Sequence, residues 1–148
     1  MKIYVDADGC PVVREAVKIA KEYDIGVIVV KNYAHEFIDP YATTVSVDIS
    51  RDSADFYIVN RVKKGDIVVT QDYGLAAMCL SKEAIPINQN GLVYNEDNMD
   101  ILLNFRHLHQ ELRRQKKYYN KAKKREKEAN KKFEDSLRSL IGELLNRA

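Results

Sequence analysis

The chain has 148 residues, 31% charged and 45% hydrophobic, with a net charge of +2, a composition that fits one globular domain with a sizeable core. No apolar run approaches the roughly 20 residues that a bilayer-spanning helix needs, and Asp6 and Asp8 interrupt the start of the chain where a signal peptide would carry its apolar stretch, so the cytoplasm is the expected compartment. Two cysteines, Cys10 and Cys79, are too few for a disulfide framework and form no CxxC pair; both are expected as small core residues.

Ile3, Tyr4 and Val5 have the character of a short buried strand. Two carboxylates, Asp6 and Asp8, follow at once, with Gly9 and Pro11 forcing a turn. Val12 to Tyr23 reads as a helix, with Pro11 suited to its first turn and Val13, Val17 and Ala20 on one face. Ile25 to Val30 is an almost unbroken apolar run, the pattern of a strand covered on both faces of a parallel sheet. A loop from Lys31 to Tyr41 leads to a third strand, Thr43 to Ile49.

Asp52 or Ser53 can cap a helix running to about Lys64, where Gly65 ends it. The pattern leaves the direction of Asp55 open. Asp66 to Thr70 is a fourth strand running into Gln71 and Asp72; Gly74 to Ser81 is a short helix; Ala84 to Ile87 is a fifth strand, placed at an edge by Pro86. A helix starting at Glu96 or Asp97 carries Met99, Leu102, Leu103, Phe105 and Leu108.

The alternation predicts an α/β fold of three layers, a mostly parallel five-stranded sheet flanked by helices. With the doubly wound order 3-2-1-4-5, strands 1 and 4 are neighbours and the strand order reverses between them, which opens a crevice at their carboxyl ends. Asp6, Asp8, Thr70 and Asp72 then converge there. Adjacent carboxylates repel each other, and Mg²⁺ or Mn²⁺ would relieve this, since such an ion takes one or two protein carboxylates, keeps several waters and binds substrate phosphate. The alternative roles are structural: Asp6 and Asp8 as turn and cap formers, Asp72 as a turn residue, and Asp52 and Asp55 as acids favoured by a helix N-terminus. His35, His107 and His109 show no metal-ligand spacing and are expected on the surface.

The charge is unevenly spread. Residues 1–105 carry −6 and residues 106–148 carry +8. From Arg113 to Lys132 basic residues dominate, with Tyr118 and Tyr119 among them. This is either a solvated charged segment or an electrostatic footprint on nucleic acid. Phe133, Leu137, Leu140, Ile141, Leu144 and Leu145 restore a helical stripe, which is expected to pack back on the core or on a second subunit, a homodimer being the second case. The boundary is placed so that residues 1–110 form the α/β domain and 111–148 a basic helical extension.

Val5-Asp6-Ala7-Asp8-Gly9-Cys10-Pro11, Asp52-Ser53-Ala54-Asp55 with Ile58-Val59, and Gly65-Asp66-Ile67-Val68-Val69-Thr70-Gln71-Asp72 with Leu75-Ala76 together resemble the YaiI/YqxD family of uncharacterised bacterial proteins, over nearly the whole chain. That family is similar to PIN-like and NYN-type nuclease domains, which hold Mg²⁺ or Mn²⁺ on acids at strand ends and cut RNA. The resemblance implies Asp6, Asp8, Asp55 and Asp72 as metal-binding catalytic acids, with Thr70 beside them. The chain departs from the family after the fifth strand, where Gln89-Asn90-Gly91 stands in place of the usual Pro-Arg-Gly turn. Asp6-Ala7-Asp8-Gly9 also resembles the signature of haloacid-dehalogenase phosphatases, with Asp6 as nucleophile and Asp8 as acid, but Gly65-Asp66 precedes a strand where that family's later motif follows one. A non-catalytic nucleic-acid-binding protein is the third reading.

Overall fold

A computed structural model describes residues 1–32, 37, 39–50, 53–114 and 125–147 of the chain. Its centre is a five-stranded, wholly parallel sheet made of β1 (Lys2–Asp6), β2 (Gly26–Asn32), β3 (Thr43–Val47), β4 (Ile67–Val69) and β5 (Ile85–Ile87). The strands lie in the order β3-β2-β1-β4-β5, the doubly wound layout that the alternation of elements predicts. The register sets Val5 beside Val29 on one side and Val69 on the other. All three are fully buried, which is why these strands read as continuous apolar runs.

Successive strand residues point to opposite faces, and each face is covered. Ile3, Val5, Val27, Val29, Ile67 and Val69 meet α1 (Val13–Glu22) and α5 (Lys127–Arg147). Tyr4, Val30 and Val68 meet α2 (Ser53–Arg61) and α3 (Tyr73–Ser81) through Ile58, Val62, Leu75 and Cys79. The helix α4 (Glu96–Arg114) packs outside α3, with Met99 and Tyr94 over Ala76. The C-terminal helix is therefore part of the main core: Phe133, Leu137 and Ile141 are all fully buried, and Arg138 donates two hydrogen bonds to Glu22 of α1, at 3.1 and 3.0 Å. This ion pair holds the Glu22 carboxyl below, and the Arg138 guanidinium above, their ordinary values.

Several boundaries differ from the sequence reading for identifiable reasons. Pro11 lies outside α1, which starts at Val13 after an N-cap at Val12, because Cys10 N–H closes a turn on the Ala7 carbonyl first. α2 stops at Arg61 and not near Lys64. The buried Asp66 carboxylate captures Lys63 N–H at 2.9 Å, and the chain turns through Gly65 at a φ of +86°, where a side chain would be strained. β2 continues to Asn32 because its end pairs with Val47 of β3. In α4, Met99 is buried but Leu103 is 40% exposed. His35, Asp52 and Lys116 to Lys124 lie outside the described residues, as do the side chains of Phe105, Leu108 and His109; His107 is exposed.

Candidate active site

The carboxyl ends of β1 and β4 face a crevice of about 670 Å³. Among the described residues, five carboxylates line it, Asp6, Asp8, Asp48, Asp55 and Asp72, and no Lys, Arg or His does. The strand order explains the convergence. Adjacent β1 and β4 send their continuing chains to opposite faces, so the loops part there and leave space. Asp6 ends β1, Asp8 follows one turn later, and Asp72 follows β4.

Thr70 is the joint between the two strands. Its hydroxyl donates to Asp6 Oδ2 at 3.0 Å and accepts Asp72 N–H at 3.0 Å, and the residue is 1% exposed. A second tie lies above it, where Gln71 Nε2 donates to the Gly9 carbonyl at 2.8 Å. Gly9 has a φ of +71°, a conformation that favours glycine and lets the carbonyl turn toward Gln71. Asp8 Oδ1 accepts Asn32 N–H at 3.2 Å, which fastens the loop to the end of β2.

Asp72 has a structural function beyond the turn role that the sequence suggests for it. It is the N-cap of α3, with Oδ1 accepting from Gly74 N–H at 2.8 Å and Leu75 N–H at 3.2 Å. This satisfies two of the four unpaired amides of the first turn and engages one oxygen of the carboxylate. Asp55 points into the crevice from the first turn of α2, which answers the question of its direction. Asp48, just past the end of β3, was missed by the sequence reading. The available signal was its position at a strand's carboxyl end, the rule that had identified Asp6 and Asp72.

The electrostatics follow from this crowding. Burial is the main cause of a rise in the Asp6 pKa from 3.8 to about 6; the Thr70 hydrogen bond opposes it, while the charges of Asp72 and Asp8 add to it. Such a site favours positive charge. Among the described residues no three His, Cys, Asp or Glu side chains are grouped to hold one ion together. The cysteines are a poor source of nucleophile: burial pushes the Cys10 thiol up to about 11 and the Cys79 thiol up to about 12.

Asp66, the acid a haloacid-dehalogenase site would need nearby, lies at the other end of the sheet. It is buried, and its two oxygens accept Lys2 N–H and Lys63 N–H, each at 2.9 Å. The Gln89-Asn90-Gly91 turn also has a basic residue upon it, from a distant part of the chain. Arg125 donates to Asn90 Oδ1 at 2.7 Å, to the Gln89 carbonyl and to Asn130 Oδ1 at 2.6 Å. Gly91, at a φ of +89°, lies against the Lys132 backbone and Ser136 of α5. The basic stretch thus ends on the turn after β5.

The family model described as "Uncharacterized BCR, YaiI/YqxD family" matches residues 4–143. Among relatives, a "UPF0178 protein" of Alkaliphilus oremlandii is 54% identical over 134 residues, covering 90% of this chain and 86% of its own length. Another from Ruminiclostridium cellulolyticum is 50% identical over 137 residues, covering 93% and 90%. A third from Natranaerobius thermophilus is 44% identical over 141 residues, covering 95% and 96%. No solved structure matches the chain at a significant level.

Proposed function

The chain belongs to the YaiI/YqxD family, and on that premise we propose that it is a metal-dependent phosphodiesterase, a nuclease acting on RNA at the acidic crevice. The observation that carries this reading is the convergence of Asp6, Asp8, Asp48, Asp55 and Asp72 on one cavity. Carboxylates so placed are held against their mutual repulsion, and binding of a divalent cation and a phosphate is the chemistry that offsets it.

In this reading Asp6 and the free oxygen side of Asp72 hold Mg²⁺ or Mn²⁺, and Asp8 and Asp55 hold its waters or a second ion. The bound cation supplies a water of lowered pKa and a positive charge against the phosphate oxygens. Thr70 fixes Asp6 and the Asp72 backbone in one geometry, so the two donors stay aligned. The basic segment Arg113 to Lys132 draws in the polyanion, and a homodimer would double that surface. Among the described residues no helix is long and apolar enough to cross a membrane, and the cytoplasm is the compartment that this reading assumes.

The deciding experiment is calorimetric titration of Mn²⁺ into the wild type and Asp6→Asn, with an RNA cleavage assay alongside. Wild-type binding that the variant loses, together with metal-dependent cleavage, supports the nuclease. Absence of both at millimolar metal refutes it. RNA binding that survives chelation without cleavage would instead favour a non-catalytic RNA-binding protein.

A further inference from the structure

Two more cavities extend from the crevice along α2. One, of about 410 Å³, lies between the end of β3 and the outer face of α2, and it shares Asp48 with the acidic crevice. The next, of about 520 Å³, lies at the amino ends of the strands and shares Tyr57, Asn60 and Arg61 with the second. The shared residues place the three in series as a groove along α2. Its floor is set by helical periodicity. Ile58 and Val62 turn inward to the core, while Ser53, Phe56, Tyr57, Asn60 and Arg61 recur at intervals of three and four and line the groove. Nine residues of α2 span about 13 Å.

The chemistry changes along this length. At the far end the cavity carries Lys2, Arg61 and Lys63 against the single acid Asp66. That acid is buried, and it binds the backbone amides of both lysines, which fixes their Cα atoms at the rim while leaving the ammonium groups outside. In the middle are aromatic rings. Phe56 is 63% exposed, an unusual placement for a phenyl ring on a short helix, and the Arg61 guanidinium stacks over Tyr57 at 3.7 Å from the ring centroid. A positive end, stacking rings and a metal-suited acidic end in one groove match a strand of alternating phosphates and unstacked bases. A double helix would present its bases to nothing here.

We propose that the groove between α2 and β3 is a single-stranded nucleic-acid track, with phosphates on Lys2, Arg61 and Lys63, a base on Phe56, and a scissile phosphate delivered to the acidic crevice. The inference rests on the nuclease reading for its last step only; the track itself stands on the groove.

The test uses the full chain and a fluorescein-labelled oligouridine, with anisotropy read in EDTA over a range of salt. The Arg61→Gln/Lys63→Gln variant is expected to bind about tenfold more weakly, and the slope of log K against log salt should fall in magnitude by about 1.4 for two lost phosphate contacts. Phe56→Ala should weaken binding about tenfold with the slope unchanged, since it removes a stacking surface and no charge. Circular dichroism melts and Mn²⁺ titration of each variant should match the wild type, because none of the three residues is in the acidic crevice. Lys116→Gln/Lys117→Gln serves as the comparison. Groove variants that bind like the wild type while this comparison loses affinity overturn the track, as does a wild type with no affinity for the oligonucleotide. Groove-dependent binding without metal binding or cleavage supports the track and removes the nuclease. Metal-dependent cleavage that groove variants leave untouched does the reverse.

Discussion

Replacing Asp6 by Asn should make the protein more stable at neutral pH, and the size of the gain follows from the site. The Asp6 carboxyl is raised from 3.8 to about 6, chiefly by burial and further by the charges of Asp72 and Asp8. The folded state therefore holds a proton that the unfolded chain has released between these two values. The contribution of Asp6 to stability is greatest below about pH 4, falls as pH rises through 4 to 6, and is lost above 6. A rise of this size costs about 3 kcal/mol at neutral pH. Asn keeps an oxygen for the Thr70 hydroxyl and carries no charge, so it escapes the penalty. At 2–4 °C per kcal/mol for a chain of about this length, the Tm of Asp6→Asn should exceed that of the wild type by roughly 6–12 °C at pH 7 and match it near pH 4. Thermal melts at half-unit pH steps read this directly. Added Mg²⁺ should close the gap at pH 7, because an ion bound only to the folded wild type adds about 2.7 kcal/mol at a hundred times its Kd. Parallel pH profiles for the two proteins, with equal Tm at pH 7, would refute the reasoning.

Three further substitutions probe the frame around that acid. Thr70→Val removes a donor to Asp6 and an acceptor for Asp72 N–H; it should cost about 1–3 kcal/mol in urea denaturation and move the Asp6 carboxyl, followed by NMR, above its value of about 6. Asp72→Ala should lose about 1 kcal/mol with the α3 cap, whereas Asp72→Ser should keep that stability; metal binding by calorimetry should fall in both, which separates cap from ligand. Gly91→Ala puts a Cβ 2.8 Å from Ser136 Cβ and 2.9 Å from the Lys132 carbonyl oxygen at a φ of +89°, so a loss of about 1–3 kcal/mol is expected, seen as a lower urea midpoint with α5 loosened from the sheet.

The architecture was legible where burial is two-sided. Gly26 to Val30 could hardly be anything other than an inner strand of a parallel sheet, and once β1 and β4 are neighbours, the meeting of Asp6 with Asp72 follows from topology alone. Reading stopped where geometry depends on a helix start or on distant partners. Whether Asp55 faces the crevice turns on α2 beginning at Ser53, a matter of one or two residues that apolar periodicity does not resolve. Asp48 comes just after Val47, where β3 ends; running that strand on to Ile49 hides the residue inside it, so the rule that singles out Asp6 is not applied. The contact of Arg125 with Gln89 and Asn90 spans 36 and 35 residues, and nothing local in either segment announces the other. Asp72 illustrates a different difficulty: a cap and a ligand use the same residue type at the same position, and only the division of its two oxygens tells them apart.

The packing of α5 on α1 has a consequence for synthesis on the ribosome. The side of the sheet formed by Ile3, Val5, Val27 and Val29 is sealed only when Phe133, Leu137 and Ile141 arrive, and Arg138 reaches Glu22 across 116 residues of chain. At about 5–20 residues per second, the nascent sheet has only α1 on that side for roughly 6–20 s before α5 is made. Any message stall late in the reading frame prolongs that half-covered state.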